Sequence, residues 1–210
     1  MEIIHPDIQT YAERHSTPEP DLLVELFDEA AQKLEHLDMF SGPVVGRLLN
    51  LLIKIGGATR VLEIGTFAGY SALLMAEALP EGGRLITCEI NENYAAIARK
   101  YFEKSAHGDK IELMMGEALD SIKRLEEGLD FVFLDADKIN YPRYYDAVLP
   151  KMVPGGLLVI DNVFWSGGVL NPDEKEAEAI DRLNKRIADD DRVEQVMLTE
   201  RDGLTLVRKR

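Results

Sequence analysis

Short apolar runs rich in β-branched residues alternate along this chain with longer stretches in which apolar positions recur at helical spacing. The short runs predict strands at 61–64, 84–88, 111–115, 131–134, 156–160, 193–198 and 204–208. Helices are expected from Ser71 through Leu79, over 93–104, in a short piece after Gly116-Glu117, and over 174–188. Strand and helix alternating from Arg60 onward imply a parallel sheet with right-handed crossovers. Asp202-Gly203 between the last two strands is a hairpin signal, which reverses the final strand against its neighbour. Ahead of this region the pattern is helical and less regular. Thr17-Pro18-Glu19-Pro20 predicts a helix start with a capping hydroxyl and proline just inside, and Leu22, Leu23, Leu26, Ala30 and Leu34 mark its apolar face. A further helix over 44–55 stops at Gly56-Gly57. The expected organisation is one domain over 1–210, with 1–57 a helical cover and 58–210 an α/β core.

Composition narrows the class. The formal charge of -14 argues against a broad surface for nucleic acid, because that affinity comes largely from Lys and Arg releasing counterions. The single cysteine, Cys88, excludes an intrachain disulfide and lies in an apolar strand as core filler. With no signal peptide and no apolar run of membrane length read from the sequence, the expected location is the cytoplasm.

The stretch from Arg60 to Ser71 organises the rest. A buried strand runs into a turn bounded by Gly65 and Gly69, and a helix follows. Ligands of such sheets sit at the carboxyl ends of the strands. A dinucleotide fingerprint needs Gly-x-Gly-x-x-Gly, whereas here Thr66 and Phe67 fill the middle and Glu63 precedes the first glycine by two residues. A carboxylate there repels phosphate and welcomes a cation. Acid-x-Gly-x-x-x-Gly after an apolar strand is the pattern of S-adenosylmethionine (SAM)-dependent methyltransferases, whose ligand brings an ammonium, a sulfonium and an adenosine. Glu89, at the end of the second strand, is placed to accept from both hydroxyls of a ribose. Gly116-Glu117-Ala118 lies where an adenine ring can meet backbone amides.

Asp135, Asp161 and Asn162 end the fourth and fifth strands, which should be neighbours. Three oxygen donors then converge, a set suited to Mg²⁺ or another hard divalent cation; the plainer alternative is that they only cap and turn the chain. Lys138 follows Asp135 by three residues, within reach of a substrate beside that trio, unless it is an ordinary surface lysine. Ionising a phenol at pH 7 costs about 4 kcal/mol, which a dication and a nearby amine can offset. Trp165 follows in a glycine-rich loop, as core packing or as an aromatic wall for a flat substrate.

Val-Leu-Glu-Ile-Gly-Thr-Phe-Ala-Gly-Tyr-Ser, Phe-Leu-Asp-Ala-Asp-Lys-Ile-Asn-Tyr and Ile-Asp-Asn-Val-Phe-Trp-Ser-Gly, in this order, resemble the cation-dependent O-methyltransferases, the family of caffeoyl-CoA O-methyltransferase, related to catechol O-methyltransferase. The resemblance covers roughly 35–210. It implies a class I SAM-dependent methyltransferase fold: an α/β, Rossmann-like, seven-stranded mostly parallel sheet with the last strand antiparallel, helices on both faces, and usually a homodimer. Carried to this sequence, it implies SAM contacts from Met39, Ser41, Glu63, Gly65, Ser71, Glu89, Ala118, Asp135 and Asp137. It implies metal ligation (Mg²⁺, or Mn²⁺ or Ca²⁺) by Asp135, Asp161 and Asn162, Lys138 as the base, and Trp165 on the substrate side. Two departures stand out. Val45 and Arg47 flank Gly46 where the family usually carries Glu or Gln before it and Gln after it. After Trp165 the chain passes through 169–173 straight into a helix, without the longer insertion of plant members. A small free catechol or hydroxycinnamate fits that short loop better than a coenzyme A ester. Two other readings stay open: methylation of a hydroxylated uridine in transfer RNA, with Arg201, Arg208, Lys209 and Arg210 as a local basic patch, and a non-catalytic nucleotide-binding or dimerisation module.

Overall fold

The computed structural model describes residues 3–210, so the first two positions of the expected helical cover lie outside it. Three helices come first: α1 (Pro6–Arg14), α2 (Asp21–Lys33) and α3 (Gly42–Gly56). The core then runs β1 (Arg60–Ile64), α4 (Tyr70–Ala78), β2 (Arg84–Glu89), α5 (Glu92–Lys104), β3 (Ile111–Met115), α6 (Ala118–Arg124), β4 (Leu129–Leu134), α7 (Tyr141–Val148), β5 (Met152–Asp161), α8 (Lys175–Ala188), β6 (Val193–Leu198) and β7 (Leu204–Lys209). The seven strands form one sheet in the order β3-β2-β1-β4-β5-β7-β6. Pairings are parallel from β3 through β5, and β7 runs antiparallel to both β5 and β6, as the hairpin signal predicts.

Period-two alternation sorts the strand side chains onto two faces. Val61, Phe131, Phe133 and Val159 enter the core shared with α2 to α5, while Leu62, Ile64, Val132, Leu134, Leu158 and Ile160 enter the core under α6 to α8. Both faces of the central strands are therefore buried, which is why these strands read as continuous apolar runs.

Several boundaries differ from the sequence reading. Pro154-Gly155-Gly156 looks like a turn, yet β5 starts four residues earlier than expected, at Met152. The register steps from Leu129↔Met152 to Phe131↔Leu157, so the extra residues form a bulge inside one strand. Thr17 does not cap α2; that helix starts at Asp21 with Pro20 at its cap position and no side-chain cap bond. Each proline pushes the residue before it out of the helical region, so Thr17 and Glu19 stay out of the helix. Arg47 donates instead to the carbonyls of Thr17 and Pro18 and pairs with Glu77 at 3.1 Å, while Tyr70 donates to Glu19. Leu37–Gly56, 20 residues with a mean hydropathy of 1.2 over an 18-residue window, is long and apolar enough by length and composition to cross a membrane, against the expectation of no such run. In the fold, α3 buries Val45, Leu49 and Ile53 in the core, and Asn50 donates to the Leu74 carbonyl of α4 at 2.8 Å, as a core helix does.

Candidate functional site

The β1–α4 turn is built by backbone demands. Gly65 has φ +101°, and a Cβ there would stand 1.9 Å from the Asp135 carbonyl oxygen, so only glycine lets the ends of β1 and β4 close together. Asp135 N–H in turn donates to the Ile64 carbonyl at 2.9 Å. Glu89 folds back over this turn. Its carboxylate accepts from the N–H groups of Phe67 at 2.8 Å, Ile90 at 2.9 Å and Asn91 at 2.8 Å, and retains lone pairs for a ligand.

Parallel pairing sets Leu134 against Ile160, which brings Asp135 and Asp161 side by side one residue on. Asn162 has φ +57°, a left-handed position that asparagine tolerates better than most residues, and this turns the chain out of β5. Asp161 is 1% exposed; burial, and then the Asp135 carboxylate beside it, push its pKa up from the ordinary carboxylate range. Among the described residues no three or more of His, Cys, Asp and Glu gather as metal ligands. The donor set here is two carboxylates and an amide. Two facing carboxylates, one of them buried, repel each other, and an oxygen-liganded hard cation is the group that relieves this. The residues present therefore fit a Mg²⁺-like ion. Lys138 Nζ stands 2.9 Å from Asp135 Oδ1.

These groups share one cavity of about 1050 Å³. Met39, Ser41, Gly65, Ser71, Glu89 and Ala118 line one part of it, and Asp135, Asp137, Lys138, Asp161, Asn162 and Trp165 the other. Asp137 is held by the Tyr144 hydroxyl at 2.5 Å and Asn140 Nδ2 at 2.6 Å. Trp165 donates from its indole to Glu174 at 3.2 Å and is half-buried, so it is a wall rather than core. Glu63 is the exception. It is fully buried beneath the turn, outside the lining, and accepts from Ser71 Oγ and Thr87 Oγ1, both at 2.5 Å. Burial lifts its pKa to about 8, over the opposing effect of those two hydrogen bonds. The apolar strand that carries Glu63 points it between sheet and helix, so it meets the cavity through Ser71 and, by way of Thr87, through Thr66.

The O-methyltransferase family profile matches residues 13–210. The chain belongs to the O-methyltransferase family. Caffeoyl-CoA O-methyltransferase 1 of Zea mays is 38% identical over 205 residues, covering 91% of this chain and 79% of the maize protein. The crystal structure of the Bacillus cereus O-methyltransferase in complex with SAH superposes with a TM-score of 0.88 at 33% identity, covering 97% of each chain. A Podospora anserina methyltransferase, SAH-bound, gives a TM-score of 0.91 at 28% identity, covering 98% of this chain and 94% of the other. The chain is thus an enzyme, which sets aside the reading as a non-catalytic module.

Several residues of this O-methyltransferase site escape a reading by motif. Phe40, Phe67, Tyr70 and Tyr94 form an aromatic wall, with ring centroids 4.8 to 5.6 Å apart in edge contacts. Phe67 and Tyr70 lie within the first quoted motif, but Phe40 and Tyr94 come from distant segments, so no local pattern reveals the wall. Tyr141 lies within a quoted motif without a role assigned from spacing. Arg201, from the β6–β7 turn, donates to the carbonyls of Phe40 and Ser41 and ties that segment to the cavity. Of the residues read as a basic patch, Arg208 pairs with Glu194 at 2.7 Å, Lys209 donates to the carbonyls of Leu149 and Met152, and Arg201 turns to the Phe40 and Ser41 carbonyls. Cys88 is core filler, its thiol pushed up to about 12 by burial.

Proposed function

We propose that this O-methyltransferase moves the methyl group of SAM to one hydroxyl of a catechol-like or hydroxycinnamate-type small molecule, with a divalent cation held by Asp135, Asp161 and Asn162. The observation that carries this reading is the meeting, in one cavity, of the glycine turn with Glu89 on one side and the Asp135, Asp161, Asn162 and Lys138 group on the other. Relatives of this family are named for caffeoyl-CoA, and solved relatives are described with SAH, the demethylated form of the donor.

Glu89 accepts from the donor's ribose hydroxyls, Gly65 lets the backbone approach it, and Ser41 and Ser71 offer hydroxyls along its length. Met39 covers it, and Asp137 lines the same cavity as Ala118. A dication held by Asp135, Asp161 and Asn162 would supply Lewis acidity that eases ionisation of the acceptor hydroxyl. Lys138 Nζ takes the acceptor's hydroxyl proton. The oxygen then bonds the methyl carbon as the sulfur–carbon bond breaks, its electron pair staying on sulfur. Holding acceptor and donor in line can contribute roughly 7 to 11 kcal/mol. Trp165 sets the plane of the aromatic ring. Leu51 and Ile55, both more than half exposed on α3, give the homodimer an apolar contact.

The test is methyl transfer from labelled SAM to catechol, caffeate, caffeoyl-CoA and transfer RNA, each with Mg²⁺ and with EDTA. Transfer to a catechol that EDTA abolishes supports the reading. Transfer confined to RNA, or indifferent to EDTA, overturns it.

A further inference from the structure

Tyr141 takes no part in the chemistry described above, yet its hydroxyl contacts both Lys138 and the backbone of Asp161. It opens α7, is fully buried, and places its hydroxyl where β4 and β5 end. That hydroxyl accepts from Lys138 Nζ at 2.6 Å and donates to the backbone oxygen of Asp161 at 3.1 Å. One side chain thus ties the lysine to the chain beside Asn162. Burial, and then Asp135, hold its pKa well above the ordinary range, so it stays a phenol with a fixed donor direction.

Nζ is tetrahedral. One of its directions runs to Asp135 Oδ1 at 2.9 Å and a second to Tyr141 Oη at 2.6 Å. The third is left for the cavity that Lys138 lines. In a neutral amine that direction is the lone pair, and in the ammonium it is an N–H. We propose that Tyr141 is a positioning residue whose hydroxyl aims the open direction of Lys138 Nζ at the acceptor hydroxyl, and so sets how well the proton is removed. This rests on Lys138 taking that proton, as given under Proposed function. The proton moves from the acceptor oxygen to the Nζ lone pair, and the electron pair of the O–H bond stays on oxygen. Without the Tyr141 hydroxyl, Asp135 is the anchor left at Nζ among the described residues, and four rotatable bonds let the amine swing.

Tyr141→Phe keeps the ring in the core and removes only the hydroxyl. The experiment compares methyl transfer to catechol with transfer to 4-nitrocatechol, whose more acidic hydroxyl needs less help to ionise. The expected result is a fall in kcat of about 10- to 100-fold on catechol, the scale of a displaced general base, and of less than about 3-fold on 4-nitrocatechol. The KM for SAM and Mg²⁺ binding by calorimetry stay within about 2-fold, and in a Lys138→Met background the same substitution has no further effect. Equal losses on both acceptors, or losses that multiply in the double variant, overturn the proposal. If the wild-type protein methylates neither catechol, the function proposed above fails. The positioning claim is then decided by the ¹⁵N resonance of the Lys138 side chain, assigned with Lys138→Met: a shift or broadening in Tyr141→Phe supports it, and an unchanged resonance overturns it.

Discussion

Asp135 and Asp161 leave adjacent parallel strands side by side, one residue past the paired Leu134 and Ile160. No cysteine or histidine assists them, and Asp161 is buried. Strand register therefore sets two carboxyl groups together with Lys138, 2.9 Å from Asp135 Oδ1, as their near counter-charge, and the repulsion left over favours binding of a cation.

Asp161→Asn should separate stability from function. It removes one of two facing carboxylates while leaving an oxygen to accept from the Asn162 N–H, which Asp161 Oδ1 now does at 2.7 Å. In EDTA at neutral pH the variant is expected to melt about 2 to 4 °C higher, the effect of about 1 kcal/mol in a domain of this size. Its methyl transfer with Mg²⁺ should fall at least about 100-fold, since a Lewis acid contributes several kcal/mol. Differential scanning fluorimetry and the methyl-transfer assay check the two halves, and a lower melting temperature in EDTA contradicts the first.

Glu63 should make the apoprotein less stable as pH rises. Its folded pKa, about 8, lies above the ordinary glutamate value of about 4.5, so the folded state holds a proton that the unfolded chain has released. The favourable contribution is complete below about 4.5 and is lost as pH climbs toward 8, a slope that approaches 1.4 kcal/mol per pH unit from this group alone. Glu63→Gln stays neutral throughout and should flatten urea-derived stability between pH 5 and 8. Parallel curves for the two proteins would rule the assignment out.

Arg201→Ala frees the carbonyls of Phe40 and Ser41 from the β6–β7 turn. The segment carrying Met39 and Ser41 then has to be ordered by the donor itself. The KM for SAM is expected to rise about 10-fold, the worth of a charge-assisted hydrogen bond, with kcat changed much less. A loss confined to kcat would place Arg201 in the chemistry rather than in donor binding.

The acceptor side of the cavity carries Asp173, Glu174, Glu176 and Asp202, with Lys138 and Arg201 as its cations. Acceptors with an anionic tail should be poorer substrates than neutral or cationic ones of the same size. Glu176→Lys should raise kcat/KM for caffeate several-fold and lower it for dopamine, and added salt should shrink both changes. A charge-independent response would show that shape alone selects the acceptor.

Much of this was legible because central strands buried on both faces must read as apolar runs, and such strands end in the residues that face a ligand. Glu89, Asp135 and Asp161 each stand at or just past a strand end, so locating the strands located them. The first strand also shows where this logic stops. Glu63 is part of the motif, yet strand alternation turns it away from the cavity, and linear spacing carries no sign of that. The Thr17 cap failed because two prolines act on the residues before them, outweighing a favourable capping side chain. Arg201 and the aromatic wall arise from contacts between distant segments, Arg201 to Ser41 among them, which no periodicity records.

Gly65 leaves no space between the donor turn and the Asp135 backbone, because a single added carbon would collide with that carbonyl. The two halves of the site are consequently locked at one spacing by main chain rather than by side chains. The acceptor wall, made of Trp165, Glu176 and their neighbours, hangs from a separate loop and helix. Selectivity can therefore be redrawn at that wall while the distance the methyl group travels stays constant, which makes the loop after β5 the place to retarget this enzyme and the turn after β1 the place to leave alone.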